Sequence, residues 1–283
     1  MLAGRQWHPA ARTSAYGYYL DPTDSRFHVS IGHPGAAAAL QQRLGDRVTV
    51  ERDTPTLFQG SRGNDASPHF GGAFITPGFT DRKAGCSSGF SVVFGDGRRG
   101  AVTARHCYEP NFQPNLKLLS GVEDFGQLDG SRVAPFPTFD MARVTQAGQT
   151  YTNKIYTDPC CPTQRTVTSG SNPFQGQVLC VSGQLTGARC SITVTNPSGS
   201  FCPDPILVPE FGGQCVNDVM VASRPGIRVA QRGDSGGPIY SPSGTANAAI
   251  HGILIGGTSA GDTIFAEKLS NIETALDVDV AVS

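Results

Sequence analysis

The chain has 283 residues, enough for one large domain or two unequal ones, and only 16% of them are charged. Its formal net charge of −1 gives no electrostatic reason to expect a nucleic acid or an anionic membrane as a partner, and no run of 18 apolar residues predicts a membrane span. The 35 glycines and 20 prolines favour many short strands and turns over long surface helices.

The N-terminal part predicts a small module of its own. Its first residues, MLAGRQWHPAARTS, lack the apolar centre of a signal peptide, so we expect that a leader was removed or that translation starts further upstream. AYGYYL and RFHVSIG then predict two strands about a DPTD turn, HPGAAAALQQRLGD predicts a helix that ends at Gly45, and RVTVER predicts a third strand. The module runs from about Ala15 to Arg52.

A polar stretch follows the module. SRGNDASPHFGG, from Ser61 to Gly72, contains several glycines and polar residues, which is typical of a linker open to cleavage. The alternative is an N-terminal extension that stays packed on the rest of the protein.

Eight cysteines, an even number, predict disulfides and an oxidising compartment. Cys160 and Cys161 are adjacent, and no pair has the CxxC spacing of common zinc sites. We therefore expect no metal, and the sequence indicates no cofactor.

Two polar residues lie in apolar surroundings in the middle of the chain. His106 ends the strand-like run AVTARHC, and Asp140 lies in FDMARV, where an acid needs a polar partner. Glu123, Asp124 and Asp129 are alternatives for that acid, but their segment, GVEDFGQLDG, is typical of a solvated loop. The other histidines are expected to be structural or exposed, namely His8, His28, His33, His69 and His251.

The stretch RGDSGGPIY places Asp234 and Ser235 among glycines, which predicts a tight turn that another group approaches closely. A serine hydroxyl needs a base to attack a carbonyl at neutral pH, and that base needs an orienting acid. The order His106, Asp140, Ser235 is the order in which chymotrypsin carries its catalytic residues.

On these residues the sequence resembles the chymotrypsin-like serine peptidases, and within them the secreted actinobacterial streptogrisin and alpha-lytic type. Five further segments, which lie between about Gly71 and the C-terminus, are similar to that branch: CSSGFSV, TARHC, LCVSGQLTGARC, GILIGG and EKLSNIETAL. The resemblance implies an all-β fold of two Greek-key six-stranded barrels with a C-terminal helix. It also implies that residues 1–70 are a small α/β pro-segment with its linker and that residues 71–283 are the peptidase domain.

The resemblance implies a serine endopeptidase with an acyl-enzyme intermediate. Asp140 would hold the His106 tautomer, His106 would take the Ser235 proton, and the N–H groups of Gly233 and Ser235 would form the oxyanion hole. The expected partners are a protein or peptide substrate and the chain's own pro-segment, and the protein is expected to be secreted and monomeric. Activity is expected to rise with pH through one ionisation near about 6.5, because His106 must be neutral.

The family pattern also implies disulfide pairs. Cys86–Cys107 and Cys180–Cys190 match it, and Cys202–Cys215 is a third pair that we assume without support from the pattern. That scheme leaves Cys160 and Cys161 bonded to each other or paired differently.

A substrate pocket is expected to be apolar, with cleavage after Leu, Met, Phe or Tyr. Its residues by resemblance are Val229, Ala230, Ile255, Gly256, Gly257 and Thr263. The alternative is that Asp262 lies in the pocket and selects Lys or Arg.

The sequence departs from the family at three positions near the catalytic residues. Arg105 stands beside His106 where relatives have a small residue, with no evident reason. Val181 replaces an arginine that pairs with the acid at Asp234, so Asp234 needs another partner, expected to be a cation. Ile255 replaces a serine, so a hydrogen-bonding side chain next to Asp140 is expected to be missing.

These departures keep two other functions open. One is a protease-fold binding module without turnover, and the other is an esterase that uses the same three residues.

Overall fold

The computed structural model describes residues 7–12, 16–21, 24–52, 61–78, 85–109, 112–159, 163–206 and 208–282. The chain divides into two compact units, Met1–Gln59 and Gly60–Ser283. Within the described residues, no helix is both long and apolar enough to cross a membrane.

The first unit has the predicted order of elements. Its sheet has the order β1-β2-β3, with β1 antiparallel and β3 parallel to the central β2. The helix begins after His33, whose Nδ1 accepts the Ala36 N–H, and it ends at Gly45 as predicted. The elements are β1 (Tyr16–Asp21), β2 (Arg26–Ile31), α1 (Pro34–Leu44) and β3 (Val48–Glu51).

The second unit begins with a barrel whose sheet has the order β20-β7-β8-β11-β10-β9-β5-β6. Six consecutive strands, from β7 to β5 in that order, form its body, and β20 and β6 extend the two edges. Its strands are β5 (Phe74–Pro77), β6 (Cys86–Ser87), β7 (Ser91–Phe94), β8 (Arg99–Thr103), β9 (Lys117–Ser120), β10 (Glu123–Leu128), β11 (Ala142–Thr145) and β20 (Val278–Val280).

The second barrel closes on itself, because β17 pairs with both β14 and β18. Six strands make the closed ring, and β13, β12 and β4 continue the sheet beyond β18. Its strands are β4 (His69–Gly71), β12 (Tyr151–Tyr156), β13 (Gln164–Gly170), β14 (Val178–Gly183), β15 (Gly187–Phe201), β16 (Val216–Ser223), β17 (Pro238–Ser243), β18 (Asn247–Gly257) and β19 (Thr263–Lys268). The predicted fold class, two six-stranded barrels, is confirmed.

The C-terminal helix α2 (Leu269–Leu276) is amphipathic. Leu269, Ile272 and Leu276 are spaced by three and four residues and are buried in the core that both barrels share. This confirms the helix expected in EKLSNIETAL.

The second unit starts earlier than the boundary that we predicted at residues 70 and 71, because the polar stretch is built into it. The Arg62 guanidinium is 8% exposed and donates to the carbonyl oxygens of Gly72 and Gly183 and to the Asp158 carboxylate. Farther along, His69 opens β4 and its Nδ1 lies 2.8 Å from the buried Asp65 carboxylate. The polar side chains that indicated a linker therefore bind groups inside the unit.

The three predicted disulfides, Cys86–Cys107, Cys180–Cys190 and Cys202–Cys215, are formed. The question about Cys160 and Cys161 lies outside the described residues.

Candidate active site

His106 lies at the C-terminal end of β8. The strand passes into a short 3-10 turn, Arg105–Cys107, and the Cys86–Cys107 disulfide ties this turn to β6. The His106 side chain keeps 17% of its surface exposed, which leaves it open to a bound molecule. Although its ring lies near the sulfurs of Cys86 and Cys107, these are joined as a disulfide and supply no thiolate for a metal.

Asp140 is brought to His106 by strand pairing. Ala142 on β11 pairs with Thr103 on β8, so the residue that precedes β11 lies beside the turn that follows β8. The Asp140 carboxylate is fully buried and accepts two hydrogen bonds from His106, one from the backbone N–H at 2.7 Å and one from Nδ1 at 2.5 Å. The two bonds fix both the position and the tautomer of the ring.

The charge on Asp140 changes the pKa of His106. Burial alone disfavours the histidine cation, but the Asp140 charge and hydrogen bond, with a smaller contribution from Glu210, outweigh it and raise the pKa above its usual value. Because the predicted role of His106 as a base needs the neutral ring, the rise of activity with pH is expected above the value of about 6.5 that an unperturbed histidine suggests.

Two of the alternative acids have other partners. Asp124 pairs with Lys117 and accepts from Gln146, and Asp129 pairs with Arg143. The structure therefore brings Asp140, and neither of these acids, to His106.

The turn that contains Ser235 packs against the end of β8. The Ser235 carbonyl oxygen accepts the Ser87 N–H at 2.7 Å, and the Gly236 N–H donates to Leu254 in β18. A Cβ on Gly236 would lie 2.6 Å from Thr103 Oγ1 and 3.1 Å from the Ala104 nitrogen, so Gly236 contacts the residues just before His106. Among the described residues, the Ser235 hydroxyl has no hydrogen-bond partner, and it does not donate to His106.

The two predicted oxyanion donors are the amides of Gly233 and Ser235. Neither N–H has a hydrogen-bond acceptor among the residues that the structure describes, whereas the Asp234 N–H between them donates to Gln231. Gly233 has φ +98°, a conformation that L side chains rarely adopt, and its carbonyl oxygen accepts from Ser87 Oγ. Unpaired N–H groups in this turn can donate to an anionic oxygen.

Asp234 is held by neutral donors, and among the described residues no cation binds it, contrary to the expectation from the sequence. Its carboxylate is buried and accepts the N–H groups of Leu185, Thr186 and Gln231 as well as the Thr186 hydroxyl. Four hydrogen bonds satisfy a carboxylate without a salt bridge. Val181 lies in the barrel core, where it packs as an apolar residue.

Arg105 links the histidine turn to the segment before Asp140. Its Nη1 donates to the Ala134 carbonyl oxygen at 2.7 Å, its Nε binds the Glu109 carboxylate, and its guanidinium lies over the Phe112 and Phe136 rings. These contacts explain why an arginine stands at position 105, which the sequence alone did not explain.

The predicted pocket residues fall into two groups. Val229 and Ala230 are buried and both donate N–H groups to the Gly261 carbonyl oxygen. The remaining members lie on neighbouring strands, because Gly257 pairs with Ile264 next to Thr263. Of these, Ile255 is buried, Gly256 and Thr263 are partly buried, and Gly257 is exposed.

Asp262 is engaged within its own turn. Its carboxylate accepts from the Thr258 hydroxyl at 3.0 Å and from the Gly226 N–H at 3.3 Å, and these hydrogen bonds lower its pKa. These partners describe a turn-stabilising acid.

Three aromatic and acidic residues near the site were not found from the sequence. Phe211 is buried, and its ring centre lies 6.1 Å from that of His106. The Phe201 ring lies against Gly256, where a Cβ would be 2.5 Å from its nearest atom. Glu267 accepts the backbone N–H of Asp140 at 2.8 Å. Only the Cys202–Cys215 pair, which closes the loop that contains Phe211, hinted at any of them.

Comparison with known proteins found no matching family model and no matching curated protein. Among solved structures, the chain is similar to the Nocardiopsis protease NAPase, with 25% identity and a TM-score of 0.58 over 75% of this chain and 98% of that one. It is also similar to the Cellulomonas bogoriensis chymotrypsin, with 25% identity and a TM-score of 0.56 over 76% and 98%. It is similar as well to the Thermobifida fusca protease A, with 24% identity and a TM-score of 0.57 over 76% of this chain and 98% of that one.

These similarities confirm the resemblance that the sequence predicted: the chain has the fold of the chymotrypsin-like serine proteases of actinobacterial type, and the similarity supports a serine protease hydrolase.

Proposed function

We propose that the protein is a secreted serine endopeptidase that works through His106, Asp140 and Ser235. The observation that carries the proposal is the buried Asp140 carboxylate with its two hydrogen bonds to His106, beside a GDSGGP turn whose amides at Gly233 and Ser235 lack acceptors among the described residues.

In the first half of the reaction, the Ser235 hydroxyl oxygen bonds to the carbonyl carbon of the substrate while the His106 Nε2 takes its proton. The carbonyl oxygen becomes negative and accepts the Gly233 and Ser235 N–H groups. The bond from carbon to nitrogen then breaks, the leaving amine takes the proton from His106, and an acyl-enzyme ester remains.

Water completes the cycle. It gives its proton to His106 as its oxygen attacks the ester, the acid product leaves, and the proton returns to Ser235. Asp140 stabilises the His106 cation in both halves without taking its proton.

One observation supports a second candidate, a protease-fold binding module without turnover. Ser235 makes no hydrogen bond to His106 within the described residues, and a catalytically inactive domain would not need this bond. Hydrogen bonds between catalytic groups are often long before substrate binds, so the peptidase remains our proposal. An esterase would use the same three residues.

A fluorophosphonate probe is expected to label the protein, and Ser235→Ala is expected to abolish the labelling, because the probe reacts only with an activated serine. Ser241→Ala is the control, since the Ser241 hydroxyl binds His251 and, among the described residues, neither His106 nor Asp140, and it should label like the wild type. Labelling that persists in Ser235→Ala, or none in the wild type, would contradict the proposal. Comparing the rate of casein hydrolysis with the rate of hydrolysis of a short-chain ester distinguishes a peptidase from an esterase.

We propose cleavage after Leu, Met, Phe or Tyr. Val229, Ala230 and Ile255 are buried apolar residues and bring no charge that would select Lys or Arg, and burying an apolar substrate side chain is worth about 1.5 to 3 kcal/mol. Among tetrapeptide anilides that differ only in the residue before the cleaved bond, those with Leu, Met, Phe or Tyr are expected to be cleaved fastest. Asp262→Asn is expected to have the same preference as the wild type. Cleavage confined to Lys and Arg, and lost in Asp262→Asn, would assign the pocket to Asp262 instead.

The first unit is proposed as a pro-segment that assists folding of the second and is then a partner of it, and the active enzyme is proposed to be a monomer. Because Arg62 and His69 are built into the second unit, the cut is proposed to fall before Ser61. Mass spectrometry of the secreted protein should find an N-terminus between Arg52 and Ser61. An intact chain with full activity, or an N-terminus at Gly71, would contradict this.

A further inference from the structure

A buried glutamate lies next to the backbone of Asp140. Glu267, near the end of β19, has no exposed surface, and its Oε1 accepts the Asp140 N–H at 2.8 Å. The Asp140 carboxylate meanwhile accepts both hydrogen bonds from His106. Asp140 is therefore held by Glu267 at its main chain and by His106 at its side chain.

Glu267 is itself fixed in place. Its second oxygen, Oε2, lies 3.4 Å from Asn271 Nδ2 on α2, and Asn271 also donates to the Asp218 carbonyl oxygen. At its backbone, β19 lies so close to β18 that a Cβ on Gly252 would be 1.9 Å from the Glu267 carbonyl oxygen. A rigid acceptor restricts the main chain that it binds.

We propose that Glu267 is a positioning residue: by holding the Asp140 main chain, it sets the direction in which the Asp140 carboxylate meets His106. This inference rests on the proposed catalytic role of His106, Asp140 and Ser235. It also supplies the hydrogen-bonding side chain near Asp140 that the isoleucine at position 255 cannot provide.

The charge state of Glu267 gives the role a pH dependence. Burial raises the pKa of Glu267 to about 7, the hydrogen bonds from Asp140 and Asn271 oppose the rise, and the negative charges of Asp140 and Asp218 add to it. Lys268 binds Asp218 and partly offsets that charge. Glu267 is thus neutral in acid and gains a charge close to Asp140 as the pH passes 7, where a negative charge favours the His106 cation.

Two substitutions separate the hydrogen bond from the charge. Glu267→Gln keeps an oxygen that can accept the Asp140 N–H, so its kcat on a peptide anilide is expected to stay within about threefold of the wild type. Glu267→Ala removes the acceptor, and kcat is expected to fall about tenfold to a hundredfold with KM little changed, since small misplacements of catalytic groups cost that much. Because Glu267→Gln cannot ionise, the rise of its kcat with pH should move to lower pH.

A spectroscopic measurement distinguishes positioning from loss of folding. The downfield proton resonance of the His106–Asp140 hydrogen bond is expected to be unchanged in Glu267→Gln and shifted or broadened in Glu267→Ala. Glu273→Gln is the control, a glutamate on α2, the helix that carries Asn271, with no hydrogen bond to Asp140 among the described residues, and it should change neither kcat nor the resonance.

Three results would overturn the inference: full kcat in Glu267→Ala, an equal loss in Glu267→Gln and Glu267→Ala, or an unchanged resonance in Glu267→Ala. Fluorophosphonate labelling of the wild type keeps this test separate from the proposed function. If the wild type is not labelled, the proposed function fails, and if it is labelled and Glu267→Ala reacts at the same rate, only the role of Glu267 fails.

Discussion

Replacing Asp140 by asparagine is expected to lower kcat about ten-thousand-fold on a peptide anilide, because an amide cannot stabilise the His106 cation and favours the wrong tautomer of the ring. The side chains have nearly the same shape, so the fold should remain. The charge that raises the pKa of His106 is also lost, and the residual activity should therefore rise at lower pH than that of the wild type.

Asp124→Asn is the control for this prediction. Asp124 is an acid in the same part of the chain, and it binds Lys117 and Gln146 instead of His106. Its kcat should stay within about twofold of the wild type, as expected for a surface ion pair. A loss of activity in Asp124→Asn that matched the loss in Asp140→Asn would remove the assignment of Asp140.

Gly236→Ala is expected to lower the free energy of unfolding by about 4 kcal/mol or more, or to prevent folding. Gly236 has φ +89°, and a Cβ there would lie 2.1 Å from the Ser87 carbonyl oxygen, a backbone atom that cannot move aside without breaking β6. Urea denaturation measures the change, and soluble yield measures it if the variant does not fold.

Gly244→Ala separates the two causes of that loss, the strain of a positive φ and the clash of the new Cβ with the Ser87 carbonyl oxygen. Gly244 also has a positive φ, +58°, but nothing lies within 4 Å of a Cβ at this exposed turn. Its substitution should cost only about 1 to 2 kcal/mol, the backbone strain alone. Equal losses at positions 236 and 244 would mean that the contact with Ser87 contributes nothing.

The three residues that we propose as catalytic could be selected from the sequence because each lies in a short motif. TARHC and GDSGGP carry their signal within a few neighbouring residues, and FDMARV shows an acid among apolar side chains. The three strands and the helix of the first unit were predicted for the same reason, since periodicity is a local property, whereas the C-terminal helix was expected from the family resemblance.

Glu267 could not be found in this way. In TIFAEK, Ile264 and Ala266 are buried and alternate with partly buried residues, so the pattern predicts that Glu267 points outward. The residue turns inward because Asp140, 127 positions away, supplies an N–H donor. Only the packing of β19 against the Asp140 segment creates that partner.

Polar composition also misled the prediction of the domain boundary. SRGNDASPHFGG has the composition of a linker, yet Arg62, Asp65 and His69 are each buried with polar partners. Composition cannot distinguish a solvated segment from one whose polar groups are satisfied inside the protein. The same limit applies to Asp234, whose N–H donors at Leu185 and Thr186 lie 49 and 48 residues away in the chain.

The contact between Phe201 and Gly256 makes these two positions interdependent. The ring occupies the volume that a side chain at position 256 would need, and it also stacks on Phe265 with ring centres 4.9 Å apart. A larger residue at 256 is compatible only with a smaller one at 201, and the two substitutions together should cost less than the sum of each alone. Any redesign of the predicted substrate strand must therefore change positions 201 and 256 together.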